Sequence, residues 1–159
     1  MSMQKGLIPL KEVVYESKAR DGTWCTLPYP GHPHGCKNFP QCPLKYPDFK
    51  ELQAQGYNDW SAVMIEFDRQ QFGIMMRSKH PKLSKAQSEC LLYWQPEVRR
   101  KLREKAYSYA NKFNGDKVLE IPEACGINVI VTMIKAGVKM EVKDPKIVRK
   151  VMFIGRKNY

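Results

Sequence analysis

Length, composition and charge limit what this chain can be. It has 159 residues, 43% of them hydrophobic, and a net charge of +11 at neutral pH, values that fit a single domain spanning residues 1–159 with a core of its own. The longest apolar run, 127–134, is too short to cross a bilayer, and residues 1–10 lack the apolar stretch of a signal peptide. We therefore expect a cytoplasmic protein without membrane association.

Capping residues mark the helices that the first half of the sequence predicts. Asp48 and Asp68 each precede a segment of helical character. Ser84 and Gln87 stand three residues apart, the spacing of a capping box. The predicted elements in chain order are an extended arm or short strand at 7–18, a helix at 49–55, a strand at 61–67, a helix from 69 to about 79 and a helix starting at 84–85.

A long amphipathic helix dominates the second half of the prediction. Apolar residues recur in steps of three or four and define one face of a helix over 97–114, namely Val98, Leu102, Ala106, Tyr109 and Phe113. For 122–136 a strand competes with a helix, because the interior is rich in β-branched residues. Strands at 117–121, 138–143 and 147–154 complete the prediction of an α+β fold in which a small sheet packs with helices.

Residues 20–47 differ in kind from the rest of the chain. They contain six prolines and three glycines, which exclude a long helix or a central strand. A loop of this length inside a small domain is uncommon unless something other than a hydrogen-bond ladder holds it. The same segment contains Cys25, Cys36 and Cys42 together with His32 and His34. We therefore predict a Pro/Gly-rich, metal-pinned lobe near the front of the domain.

The cysteines are better explained as metal ligands than as disulfides. The chain has five cysteines, an odd number, and a cytoplasmic compartment keeps thiols reduced. Zinc is one candidate, held by three thiolates with His32 or His34 as the fourth ligand, although no tight C-x₂₋₄-C pair is present. An iron–sulfur cluster is the other, because its ligands can come from an irregular wrap of chain and Pro43 follows Cys42 as in ferredoxin-type runs.

A cluster normally takes four thiolates, so the fourth ligand has to come from elsewhere. Cys125 is the preferred candidate, since it lies at a predicted helix start where positive partial charge favours the thiolate. Gly126 beside it leaves room for a bulky cofactor. Cys90 fits better as a buried core thiol, and a histidine or an exogenous group at an open iron is also possible. His32 and His34 fit better as loop or substrate-contact residues than as ligands.

Two segments carry a resemblance to a known family. The stretch from Cys25 to Phe39, followed by Cys42 and Pro43, resembles the cysteine-rich segment of uncharacterised bacterial and archaeal proteins described as predicted metal-binding. The stretch Pro122–Val129, ending in Ala136-Gly137, resembles their C-terminal signature. The resemblance implies a cysteine-bound site, of iron–sulfur and presumed 4Fe-4S type, formed by Cys25, Cys36 and Cys42 with Cys125 as a weaker fourth member. It implies no reaction.

Charge and missing motifs define the functional alternatives. Residues 1–60 contain seven basic and six acidic residues, whereas residues 61–159 contain twenty basic and ten acidic ones. The excess of positive charge in 61–159 is suited to binding nucleic acid or an anionic small molecule. No P-loop, GxGxxG, GxSxG or HExxH motif is present. The leading hypothesis is an iron–sulfur protein, with sulfur-related chemistry on a nucleobase-like or phosphorylated substrate. The alternatives are a zinc- or cluster-stabilised module that binds nucleic acid without catalysis, and an electron carrier.

Overall fold

Two long antiparallel strands form the centre of the fold. The computed structural model describes residues 2–3, 6–20, 23–27, 33–36, 46–89, 95–141 and 145–157. Its strands are β1 (Ser2–Met3), β2 (Ile8–Pro9), β3 (Tyr57–Asp68), β4 (Lys117–Leu119) and β5 (Ile147–Lys157). β3 and β5 pair along their whole length, from Tyr57 opposite Lys157 to Asp68 opposite Ile147. The segment predicted as a strand at 61–67 therefore extends by several residues toward its start and by one toward its end.

All strand pairs of the described sheet are antiparallel. Its order is β1-β3-β5-β4, and β2 pairs with the same edge of β3 as β1. β4 covers only residues 153–155 of β5, so within the described chain the rest of that edge of β5 has no strand beside it. Helices pack on both faces of this sheet, and the predicted α+β class is confirmed.

The helices begin where the capping residues predict. Asp48 accepts a hydrogen bond from the Lys50 amide and Asp68 accepts one from the Gln71 amide. Ser84 and Gln87 exchange both bonds of a capping box. The helices are α1 (Ser17–Arg20), α2 (Phe49–Ala54), α3 (Arg69–Lys79), α4 (Lys85–Glu89), α5 (Gln95–Tyr109) and α6 (Val129–Lys135). None of these helices combines the length and the apolar character that a bilayer crossing requires.

The sheet separates two apolar cores. Because successive side chains of a strand point to opposite faces, β3 and β5 contribute to both. One core packs α2 and α6 against residues such as Trp60, Met64 and Phe153. The other packs α3 and α5 against residues such as Ile65 and Met152. The predicted stripe of α5 is buried at Val98, Leu102 and Ala106.

Two expectations for the second half of the chain are wrong. α5 ends at Tyr109 and a separate 3₁₀ turn follows at Lys112–Asn114, so Phe113 leaves the helical stripe and its side chain is fully exposed. The Asn111 side chain caps this turn by accepting hydrogen bonds from the Phe113 and Asn114 amides. Of the strand predicted at 138–143, residues 138–141 are not in a strand, and residues 142–143 lie outside the described part of the chain. The Val138 amide instead donates a hydrogen bond to the Met133 carbonyl at the end of α6.

Candidate metal centre

The backbones of Cys25 and Cys36 are in direct contact. The Cys36 amide donates a hydrogen bond to the Cys25 carbonyl oxygen at 2.7 Å. Gly35 makes this approach possible, because it is buried, has φ +84° and would place a Cβ only 2.3 Å from the same oxygen. Both cysteines are partly exposed. The structure therefore brings the backbones of two of the three predicted front ligands together in one partly exposed turn.

A short turn fixes the Cys25 side of this contact. Residues Trp24–Thr26 form a 3₁₀ turn, and the hydroxyl of Thr26 donates to the Thr23 carbonyl at 2.9 Å. His34 lies on the exposed surface next to Gly35. Among the described residues no group of three or more His, Cys, Asp or Glu side chains is arranged to hold a metal ion. Cys42 and His32, which the sequence adds to the site, lie outside the described residues.

Arg20 links the two ends of the cysteine-rich segment 20–47. Its Nη1 donates to the Tyr46 carbonyl and to the Ala124 carbonyl, each at 2.9 Å. Its Nε also lies 3.4 Å from Oδ2 of Asp48. Arg20 and Tyr46 stand at the two ends of the cysteine-rich segment, so one guanidinium holds both ends together and attaches them to the turn at Pro122–Cys125. This role of Arg20 could not be predicted from the sequence, because partners 26 and 104 residues away leave no local signal of it.

Tyr15 contacts the same carboxylate, Asp48, as Arg20 does. Its hydroxyl donates to Oδ2 of Asp48 at 2.9 Å, and this hydrogen bond, more than desolvation, raises the pKa of Tyr15. Asp48 therefore caps α2 with one carboxylate oxygen and receives Tyr15 and Arg20 with the other. The ring of Tyr15 also occupies the space beside Gly126, whose added Cβ would lie 2.5 Å from the ring. The expected room for a cofactor at Gly126 is filled by the protein's own side chains.

Cys125 lies in the core below the lobe. Its side chain is fully buried, and Sγ lies 3.8 Å from the Ile121 carbonyl oxygen that accepts its weak hydrogen bond. Cys125 ends the 3₁₀ turn Pro122–Cys125, whereas α6 begins at Val129 with Asn128 as its cap. The thiol therefore lacks the helix start that was expected to favour a thiolate. Burial instead raises the pKa of Cys125 to about 12, and its role as a fourth ligand stays a prediction.

We expect Cys125 to resist alkylation in the folded, metal-free protein. With a pKa of about 12, only about one thiol in ten thousand is ionised at pH 8, and the thiolate is the reactive form. Pulse labelling with iodoacetamide followed by peptide mass spectrometry should modify Cys36 within minutes and Cys125 only after denaturant is added. Equal labelling rates for the two cysteines in native protein would contradict this burial.

Ion pairs engage several of the basic residues that suggested nucleic-acid binding. Of the four basic residues at positions 99, 100, 101 and 103 of α5, three form an ion pair with a carboxylate, and two of the basic residues of β5 do the same. Arg99 and Lys150 have no ion pair with another described residue. The pairs are Arg100–Glu104, Lys101–Glu97, Arg103–Glu120, Arg149–Glu66 and Arg156–Asp116. A polyanion would have to compete with these carboxylates for the same cations.

Comparison with known proteins finds no relative. No protein-family model matches the chain, and no curated protein or solved structure is significantly similar to it. The resemblance to predicted metal-binding proteins therefore depends on the segments 25–43 and 122–137, and the case for a metal centre depends on the geometry around Cys25 and Cys36.

Proposed function

We propose that this is a metal-binding protein in which the thiolates of Cys25, Cys36 and Cys42 hold an iron–sulfur cluster, of 4Fe-4S type. The observation that carries the proposal is the hydrogen bond between the Cys36 amide and the Cys25 carbonyl, which requires a glycine at position 35, where φ is +84° and a Cβ would clash. Two cysteines whose backbones meet in a partly exposed turn supply soft thiolate ligands of the kind that iron–sulfur clusters and zinc prefer. Zinc is the alternative metal.

The surroundings of Cys125 bear on the chemistry of the cluster. Its thiol is fully buried and directed at the Ile121 carbonyl, which favours a cluster that leaves one iron without a fourth protein thiolate. An iron of this kind acts as a Lewis acid or holds a sulfur atom. Sulfur-related chemistry on a nucleobase-like or phosphorylated substrate is the catalytic form of the proposal, and four protein ligands in the reconstituted protein would exclude it.

The experiment is anaerobic purification followed by metal analysis and an optical spectrum. Wild-type protein should contain iron and absorb broadly in the visible, and zinc without colour would select the alternative metal. Cys25→Ser, Cys36→Ser and Cys42→Ser should each lose most of the metal. Protein without iron and zinc, or three serine variants with wild-type metal content, would contradict the proposal.

Cys125→Ser is the matched substitution for these variants. Serine differs from cysteine by one atom, so the backbone fold should be kept, with unchanged circular dichroism, while the buried hydroxyl lowers the free energy of unfolding by about 1–3 kcal/mol. We expect this variant to retain its metal. If a folded Cys125→Ser protein loses metal as the front variants do, Cys125 is the fourth ligand and no iron is left open.

Nucleic-acid binding without catalysis is the alternative function. Its support is the excess of basic residues in 61–159, and the ion pairs on α5 and β5 weigh against it. An RNA or DNA gel shift that weakens steeply between about 50 and 200 mM salt is the expected signature of such a module. No shift at the lower salt concentration would dispose of this alternative.

A further inference from the structure

A groove lies at the open edge of β5, beside the 3₁₀ turn Pro122–Cys125. β4 pairs only with residues 153–155 of β5, and beyond that point the chain turns away into the 3₁₀ turn Pro122–Cys125. The resulting gap, of about 270 Å³, is bounded by α5 on one side and by the turn and α6 on the other. Its apolar lining includes Val98, Leu102, Val129, Ile130 and Met140.

Three charged residues from three separate elements converge on this groove. Arg99 comes from α5, Glu123 from the 3₁₀ turn and Lys150 from β5. None of them forms an ion pair with another described residue, although the charge of Glu123 favours the charged form of Lys150. Lys150 is only partly exposed, and desolvation is the main cause that lowers its pKa. Polar groups that are desolvated without a partner are unfavourable for folding and typical of binding sites.

The other charged residues that line the groove already have partners. Glu120 pairs with Arg103, and Oε2 of Glu141 accepts hydrogen bonds from the amides of residues 146 and 147. Arg149 is held by Glu66 through its Nε, 3.1 Å from the carboxylate. Nη1 of Arg149 is buried and has no hydrogen-bond partner in the described part of the chain. The groove therefore has a surplus of unsatisfied cationic donors over unpaired carboxylates.

We propose that this groove binds a small organic anion, whose carboxylate or phosphate group is held by Arg99 and Lys150 and whose apolar body packs on Val98, Leu102 and Val129. Its volume of about 270 Å³, equal to about nine water molecules in the liquid, fits a single-ring or short-chain molecule. The proposal is independent of the metal centre, since no residue of the groove is a predicted metal ligand.

The test is an NMR titration of the full chain with phenylacetate, phenyl phosphate and the neutral isostere phenylacetamide. We expect saturable shifts at the amides of residues 99, 123 and 150 below about 10 mM for an anionic probe, and at least tenfold weaker binding of phenylacetamide. The anion that binds with the higher affinity shows whether the preferred head group is a carboxylate or a phosphate. No saturation by either anion, or equal binding of the amide, would overturn the proposal.

Methionine substitutions distinguish binding in this groove from non-specific attraction of an anion to a basic protein. Arg99→Met and Lys150→Met keep the apolar stems and remove the charges, so each should weaken the anionic probe about tenfold or more. Arg100→Met removes the neighbouring cation that pairs with Glu104 outside the groove and should leave binding unchanged. Because its charge is desolvated in the fold, Lys150→Met should melt at or above the wild-type temperature at pH 7. Equal losses in the three variants would contradict the assignment.

Discussion

Replacing Gly35 with alanine is expected to lower metal affinity by about 10- to 100-fold, the range seen when groups that position metal ligands are altered. The new Cβ would lie 2.3 Å from the Cys25 carbonyl oxygen and 2.8 Å from backbone atoms of Thr26. These are main-chain atoms of a closed turn and cannot move aside as a flexible side chain would. The hydrogen bond from Cys36 to Cys25 should break, and the two thiols should separate. Metal per chain after anaerobic purification measures the effect.

Gly6→Ala is the matched control for this substitution. Gly6 has a φ of +82°, nearly that of Gly35, but apart from its chain neighbours no heavy atom of the described residues lies within 4 Å of the position that an added Cβ would take. Both variants therefore share the left-handed backbone strain, of about 1–2 kcal/mol, and only Gly35→Ala adds the clash at the metal centre. Gly6→Ala should bind metal as wild type does. Wild-type metal content in Gly35→Ala, or an equal loss in both variants, would contradict the role of the turn.

Phe153→Ala is expected to lower the free energy of unfolding by about 3–5 kcal/mol, the usual cost of emptying a buried aromatic site. The Phe153 side chain is fully buried at the centre of the sheet, opposite Ala62 on β3 and Leu119 on β4. β-strands on both sides hold the backbone in place, so the cavity cannot collapse easily. Urea unfolding followed by circular dichroism measures the loss.

Phe113→Ala makes the same chemical change at an exposed position. The Phe113 ring is as accessible as in an extended chain, at 102% relative exposure, so its removal should change the free energy of unfolding by no more than about 0.5 kcal/mol. Similar losses for the two phenylalanines would show that Phe153 does not occupy the tightly packed position between β3 and β4.

The parts of the fold that were predicted correctly depend on short-range chemistry. A helix cap joins residues two to four positions apart, so Asp48, Asp68 and the Ser84–Gln87 box could be recognised from the sequence. The buried positions of α5 follow from the same helical spacing. Phe113 was placed wrongly because the spacing continues past Tyr109 while the backbone does not. The Asn111 side chain competes there for the amides that a longer helix would use.

The parts that could not be predicted depend on contacts between distant segments. Arg20 reaches Ala124 across 104 positions of the sequence, and no local pattern indicates an arginine that fastens a loop. Gly35 was counted only as one glycine among several, because its contact with Cys25 depends on how the loop closes. The groove unites Arg99, Glu123 and Lys150, which are individually ordinary surface residues in the sequence. Cys125 was predicted at a helix start, whereas it ends a 3₁₀ turn and is buried in the core, which depends on packing between distant segments.

X-ray absorption at the metal edge tests the central claim most directly. The metal in anaerobically purified protein should have sulfur atoms bound to it, at about 2.3 Å if the metal is zinc, and the signal should fall in Gly35→Ala but not in Gly6→Ala. Metal surrounded only by oxygen and nitrogen, with no sulfur neighbour, would show that Cys25 and Cys36 meet for a reason other than metal binding.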